Sequence, residues 1–211
     1  MKSLLKSLDK TEQFKKGKKI NKDELLLWQI PETSGKILSL LINLKKPKTI
    51  LELGTGSGYS TLWLHTKNSE IYTIERDPRK IQIAKKFLKK FKNITLLEGE
   101  IKEILKTWNK KIDFLFIDAD KRNYLNYLKT LEPFLNKEAI IVADNTTSHK
   151  DKLKDYITYT KKHYKSFQLD IDNGLMISIK DHHEDLSLLS KYLYNHIAED
   201  IPITACTANK P

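Results

Sequence analysis

From residue 49 onward, short apolar runs alternate with lysine-rich stretches in which apolar residues recur every three or four positions. The runs at 49–53, 71–74, 94–97, 112–117 and 139–143 predict buried strands, and the stretches at 58–65, 101–108, 124–131 and 150–164 predict helices. Pro78, at a favoured first helical position, opens a further lysine-rich helix. Strand and helix alternating at this spacing predict an α/β fold, a parallel sheet with helices on both faces. Two more strands, 167–171 and 175–179, are joined by Asp172-Asn173-Gly174, a hairpin signal. Upstream, Leu4, Leu5 and Leu8, then Leu25, Leu26 and Trp28, and after Pro31 Ile37, Leu38, Leu41, Ile42 and Leu44 give a helical pattern. It is clearest over 34–45, where Ser34 could cap. The chain thus divides into a helical cap or lid (1–46), a main domain (47–180) and a C-terminal extension (181–211). The extension carries an amphipathic helix through Leu186, Leu189, Leu193 and Ile197, then a tail.

The chemistry lies where the strands stop. The first strand runs into Glu52-Leu53-Gly54-Thr55-Gly56-Ser57-Gly58-Tyr59-Ser60, a glycine-rich turn that lets a ligand approach with no Cβ in the way. Tyr59 stands where a dinucleotide fingerprint would have its third glycine, which argues against NAD. Glu52 would repel a pyrophosphate but attract a cationic amino group, and S-adenosyl-L-methionine (SAM) carries an amino group and a sulfonium without any phosphate. A purely structural turn is the competing reading. Every later strand also ends in or runs into an acid: Glu75, Glu98 with Glu100, Asp118 and Asp144. Ligands of an open parallel sheet bind beyond these carboxyl ends, near the point where strand order reverses. There Glu75 can accept both hydroxyls of a ribose, or simply begin a helix. Residues 98–100 can border an adenine, or form a polar loop. If the fourth and fifth strands are neighbours, Asp118, Asp144 and Asn145 bring together two carboxylates and an amide, an oxygen set suited to Mg²⁺ or another hard divalent cation. The alternative is that Asp118 caps a helix and Asp144-Asn145 starts a turn.

Composition narrows the class. With 211 residues, 39% hydrophobic and 31% charged, the chain fits one soluble globular unit. Its apolar stretches are too short to span a bilayer and its lysine-rich start lacks the apolar core of a signal peptide, so no membrane partner and a cytoplasmic location are expected. Cys206, the one cysteine, is expected to be an ordinary thiol. The net charge of +11 invites a nucleic-acid reading, yet the excess is nearly all lysine, with arginine only at 76, 79 and 122. Spread over every helix, these lysines read as solvated faces; RNA stays open as a substrate.

Four blocks, LELGTGSGYST, IYTIERD, FLFIDADKRNY and IVADN, together resemble the cation-dependent class I SAM O-methyltransferases, the family of catechol and caffeoyl-CoA O-methyltransferases and their bacterial relatives. The match covers about 30–180. The resemblance implies a Rossmann-like, mostly parallel seven-stranded sheet with an antiparallel last strand, and a homodimer. It places Glu52, Gly54, Thr55 and Ser60 on the methionine portion of SAM, Glu75 on the ribose, and Glu100 with Ile101 at the adenine edge. Asp118, Asp144 and Asn145 match the metal ligands, and Lys121 the general base. Glu100 stands where aspartate is common, and residues 181–211 extend past the usual end; His182-His183 there reads as a polar linker rather than a metal site. The expected reaction is methyl transfer to a hydroxyl of a small catechol-like acceptor. A hydroxylated uridine of tRNA is the second acceptor considered, and an NAD-linked oxidoreductase or a non-catalytic SAM-binding regulator the readings from other classes.

Overall fold

The computed structural model describes residues 28–180 and 203–205. The helical pattern before Trp28, the amphipathic helix after Lys180, His182-His183 and Cys206 lie outside the described residues. In chain order the elements are α1 (Glu32–Lys45), β1 (Thr49–Leu53), α2 (Tyr59–Leu64), β2 (Glu70–Glu75), α3 (Pro78–Leu88), β3 (Ile94–Glu98), α4 (Ile101–Lys106), β4 (Ile112–Ile117), α5 (Tyr124–Leu131), β5 (Leu135–Asp144), α6 (Lys154–His163), β6 (Lys165–Leu169), β7 (Leu175–Ile179) and β8 (Ile203–Ala205).

The strands form one sheet in the order β3-β2-β1-β4-β5-β7-β6-β8. Strands β1 to β5 are parallel, and β7 runs against both β5 and β6. This is the expected mostly parallel sheet, with β7 as the inverted strand. The tail contributes what the pattern did not predict: Ile203–Ala205 adds an eighth, antiparallel strand beside β6. Strand order reverses between β1 and β4, so the crevice expected at a switch point opens beyond Leu53 and Ile117, which are register partners.

Alternation along the strands divides the core in two. Ile50, Phe114, Phe116, Val142 and Ile177 pack with Leu38 and Leu41 of α1, Leu62 of α2 and Leu88 of α3. Leu51, Leu53, Leu115, Ile117 and Ile141 pack on the other face with Leu105 of α4, Leu128 of α5 and Tyr156 of α6. Side chains two apart share a face, so inner strands such as β1, β4 and β7 bury both faces and read as continuous apolar runs, while the edge strand β3 is only partly covered. Fully burying one such Leu or Ile stabilises by about 1.5–3 kcal/mol, which holds the inner strands between the two helix layers.

Several boundaries differ from the pattern: α4 ends at Lys106 rather than 108, α6 runs Lys154–His163 rather than 150–164, and β6 runs Lys165–Leu169 rather than 167–171. Helix α1 starts at Glu32 behind Pro31, and Ser34 does not cap it: the Ser34 hydroxyl and N–H both donate to Asp172 Oδ2, at 2.9 and 3.2 Å. Strand β5 starts at Leu135 rather than 139, because Leu135 pairs with Ile112 before a register shift and pairing resumes at Ile140 with Phe114.

Candidate active site at the carboxyl edge of the sheet

The glycine turn is shaped by close approaches. Gly54, Gly56 and Gly58 all have positive φ, at 101°, 56° and 88°. A Cβ on Gly54 would fall 2.0 Å from the backbone oxygen of Asp118, so no other residue lets β1 turn against the end of β4. The N–H groups of Gly54 and Thr55 both donate to the Ile74 carbonyl, at 3.1 and 3.0 Å, and Asp118 N–H donates to the Leu53 carbonyl at 2.9 Å. Within the turn, Gly54 and Gly56 keep partial exposure while Thr55, Ser57 and Gly58 are buried. What the turn offers a ligand is therefore mainly glycine backbone.

Beneath it lies a buried polar network. Glu52 is fully buried and accepts from Ser60 Oγ at 2.5 Å, from Thr73 Oγ1 at 2.6 Å and from the Thr61 hydroxyl. Thr55 and Thr73 share a further 2.6 Å hydrogen bond between hydroxyls. Burial pushes the Glu52 carboxyl up to about 7, against the pull of the Ser60, Thr61 and Thr73 hydroxyls and with a smaller push from Asp118. Expected as cofactor contacts, the side chains of Glu52, Thr55 and Ser60 are thus turned inward and hold the turn from below. Thr61 and Thr73 were not among the expected residues; Thr73 is the register partner of Glu52, and its signal is a hydroxyl within the apolar run of β2.

Glu75, at the end of β2, reaches the same turn. Its Oε2 accepts from Gly56 N–H at 2.8 Å, and its Oε1 accepts from Arg76 and Asp77 N–H, both at 2.9 Å. Each oxygen keeps lone pairs for a further donor. Glu100 lies at the start of α4 with its carboxylate on Arg76 Nη1 at 3.1 Å, an exposed pair, and Ile101 follows as the first residue of α4.

At the ends of β4 and β5 the structure brings Asp118, Lys121, Asp144 and Asn145 together. The Ile117–Ala143 register places the two aspartates side by side as the next residues. Asn145 Nδ2 donates to Asp118 Oδ1 at 3.0 Å and to Asp144 Oδ2 at 2.9 Å, and Lys121 Nζ donates to Asp118 Oδ1 at 3.0 Å. Asn145 turns the chain away from the sheet with φ of 67°, a left-handed conformation that asparagine tolerates better than most residues. Asp144 is 2% exposed and its Oδ1 has no partner among the described residues. Burial, with the charge of Asp118, pushes the Asp144 carboxyl up to about 7, although the Asn145 N–H and Lys121 pull it down. Below, the buried Tyr124 hydroxyl is held well above its usual range by burial and then by Asp118 and Asp144. Its ring lies 5.9 Å under Lys121 Nζ.

Two adjacent carboxylates, one with an orphaned buried oxygen, form a site that a cation would relieve. The donors are hard oxygens, and a half-turn of the Asn145 amide would add a third, so this set fits a divalent ion such as Mg²⁺. Among the described residues no three His, Cys, Asp or Glu side chains gather into an alternative metal site.

The opposite end of the sheet differs. Lys45, Lys46, Lys48, Lys111, Asp113 and Asn136 are among the residues lining a cleft of about 450 Å³ at the amino ends of the strands. The fold therefore gathers some lysines that the sequence scatters, here beside the carboxyl end of α1, where cations are favoured. No helix among the described residues is long and apolar enough to cross a membrane.

Comparison with known proteins points to one family. A family model described as O-methyltransferase matches residues 6–179. The catechol O-methyltransferase of Niastella koreensis is 34% identical over 126 residues, covering 55% of this chain and 57% of that protein. The caffeoyl-CoA O-methyltransferase of Medicago sativa is 28% identical over 172 residues, covering 71% and 68%. The chain thus spans little more than half to two thirds of the length of these relatives. Among solved structures, the O-methyltransferase from Bacillus cereus in complex with SAH superposes with a TM-score of 0.71 at 19% identity, over 84% of this chain and 90% of that one. A SAH-bound methyltransferase of Podospora anserina gives 0.65 at 25% identity, over 72% and 79%. With a glycine turn and an acid edge meeting at the switch point, and with the family model spanning nearly all the described residues, this chain belongs to the O-methyltransferase family.

Proposed function

We propose that the chain transfers the methyl group of SAM to a hydroxyl of a small catechol-like acceptor, with a divalent cation held by Asp118, Asp144 and Asn145. The observation that carries this reading is the pair of neighbouring carboxylates sharing the Asn145 amide, with Asp144 Oδ1 unpartnered, directly against the glycine turn. The names of the relatives, catechol and caffeoyl-CoA O-methyltransferases, supply the acceptor class.

The residues divide the work. The backbone at Gly54 and Gly56 lets the methionine portion of SAM lie against the turn, which the Glu52 network stiffens from below. Glu75, already fixed by Gly56 N–H, takes the ribose hydroxyls, and Glu100 with Ile101 borders the adenine. When bound, the cation would act as a Lewis acid toward an acceptor oxygen and lower its pKa. Lys121, beside Asp118, would take the hydroxyl proton as its neutral amine, after giving up to solvent the proton it donates to Asp118. As the acceptor oxygen forms its bond to the methyl carbon, the carbon–sulfur bond breaks and its electron pair stays on sulfur. The protein contributes chiefly the alignment of the two reactants.

The test is methyl release from labelled SAM onto catechol, a caffeoyl thioester and bulk tRNA. The expected result is label on the catechol-type acceptors. Label on tRNA alone would overturn the small-acceptor reading, and quenching of tryptophan fluorescence by NADH but not SAM would overturn the cofactor.

A further inference from the structure

We propose that Asp172, at the tip of the β6–β7 hairpin, is a positioning residue that latches the start of α1 to the rim where the acceptor enters. This rests on the methyltransfer reading above for the identity of that rim.

The hairpin holds two distant segments at once. On one side the Asp172 carboxylate accepts both the hydroxyl and the N–H of Ser34, a fully buried residue 138 positions away, at the first turn of α1. On the other side the segment that follows Asn145 is tied to the hairpin almost atom by atom. Thr146 N–H donates to the Gly174 carbonyl at 3.1 Å, and Thr147 and Ser148 N–H both donate to the Asn173 carbonyl at 3.0 Å. Thr147 Oγ1 donates to Asp170 Oδ1 at 2.7 Å, and Gln168 Nε2 donates to Thr146 Oγ1 at 2.9 Å. A Cβ on Gly174 would lie 2.2–2.6 Å from atoms of Thr147, so hairpin and segment are in direct contact. Just before α1, Gln29 Nε2 donates to Ser57 Oγ in the glycine turn at 2.9 Å.

These contacts run continuously from the glycine turn through Gln29, α1, Asp172 and the hairpin to Asn145, and they flank the acid edge on the side away from Glu75. On the methyltransfer reading, an acceptor oxygen reaching Asp118 and Asp144 would pass beside this chain of contacts. Asp172 is the link that joins the hairpin to α1. Its φ of 50° is one that aspartate tolerates better than most non-glycine residues and glycine better still, and no packing demands a carboxylate at this exposed tip. A carboxylate here is explained by what it grips.

The experiment compares Asp172→Gly, Asp172→Asn and Ser34→Ala with the wild-type chain. Glycine removes the carboxylate and accommodates the φ of 50°, so loss of function cannot be put down to backbone strain. For Asp172→Gly we expect the acceptor KM to rise about tenfold, the size of one charge-assisted hydrogen bond, with SAM affinity within about twofold. Asp172→Asn, which keeps an accepting oxygen, should recover most of the loss, and Ser34→Ala should fall between the two. An unchanged acceptor KM in Asp172→Gly, or a parallel fall in SAM affinity, would overturn the role. Amide hydrogen exchange reads the latch without any activity: Asp172→Gly should speed exchange both at residues 34–36 and at 146–148, and no change there would overturn it. A wild-type chain that methylates nothing while exchange responds as expected would count against the function proposed above, not against the latch.

Discussion

Asp113 and Asp144 stand at opposite ends of the same sheet, one just inside the start of β4 and the other closing β5, and they are treated in opposite ways. Asp113 Oδ2 accepts from Lys48 and Thr49 N–H at 2.8 and 3.0 Å, and its Oδ1 accepts from Asn136 Nδ2 at 2.7 Å. Burial works to raise its carboxyl, but these bonds and the charge of Lys45 hold it below the usual aspartate value. Asp144 is more deeply placed, has one oxygen unpartnered and sits at about 7. A satisfied carboxylate staples β1 to β4 and β5. An unsatisfied one beside a second carboxylate is costly, and such a cost is kept where chemistry needs the group.

The comparison is most sharply broken by exchanging the consequences. Asp144→Ala should lower methyl transfer by about a hundredfold or more while SAM affinity changes little, since the residue would act on the acceptor side. Asp113→Ala should leave the transfer rate near wild type but cost about 2–4 kcal/mol of stability, because it strands two backbone donors and an amide. Denaturant titration and a methyl-transfer assay on both variants check this, and a variant that moves both readouts equally would erase the distinction.

A smaller effect separates the two ends by pH. Glu52 and Asp144 have folded values raised to about 7 from ordinary values of 4.5 and 3.8. The folded chain therefore binds more protons than the unfolded one between those limits, and stability should fall as pH rises from about 5 to about 7. Asp113 acts in the opposite sense: its lowered value gives stability that is present above 3.8 and lost as pH falls below it. Thermal melts of metal-free Glu52→Gln should show a shallower loss of stability between pH 5 and 8 than the wild-type chain, by about 2 kcal/mol. A wild-type curve that is flat over this range would contradict the raised carboxyls.

Much of this was legible in the sequence because both faces of the sheet are buried. An apolar run such as 112–117 or a period such as 124–131 has only one way to satisfy its side chains, and β4 and α5 have those bounds. The meeting of Asp118 with Asp144 and Asn145 follows from strand adjacency alone. The first part of β5 was hidden because Asn136, Lys137 and Glu138 interrupt the apolar run, Glu138 with φ of 60°. The pairing of Ser34 with Asp172 was equally hidden: a serine near a helix start and an aspartate in a turn each have a local explanation, and only the folded chain shows that they satisfy each other. In the same way the sequence shows a carboxylate at Glu52 but not the three hydroxyls that occupy it, since Thr73 arrives through strand register.

The most direct measurement is methyl transfer from labelled SAM to a catechol after chelation with EDTA, followed by titration of Mg²⁺. If Asp118, Asp144 and Asn145 hold a cation beside the methyl donor, EDTA abolishes transfer and Mg²⁺ restores it saturably. Transfer at the full rate in the presence of EDTA would contradict that arrangement.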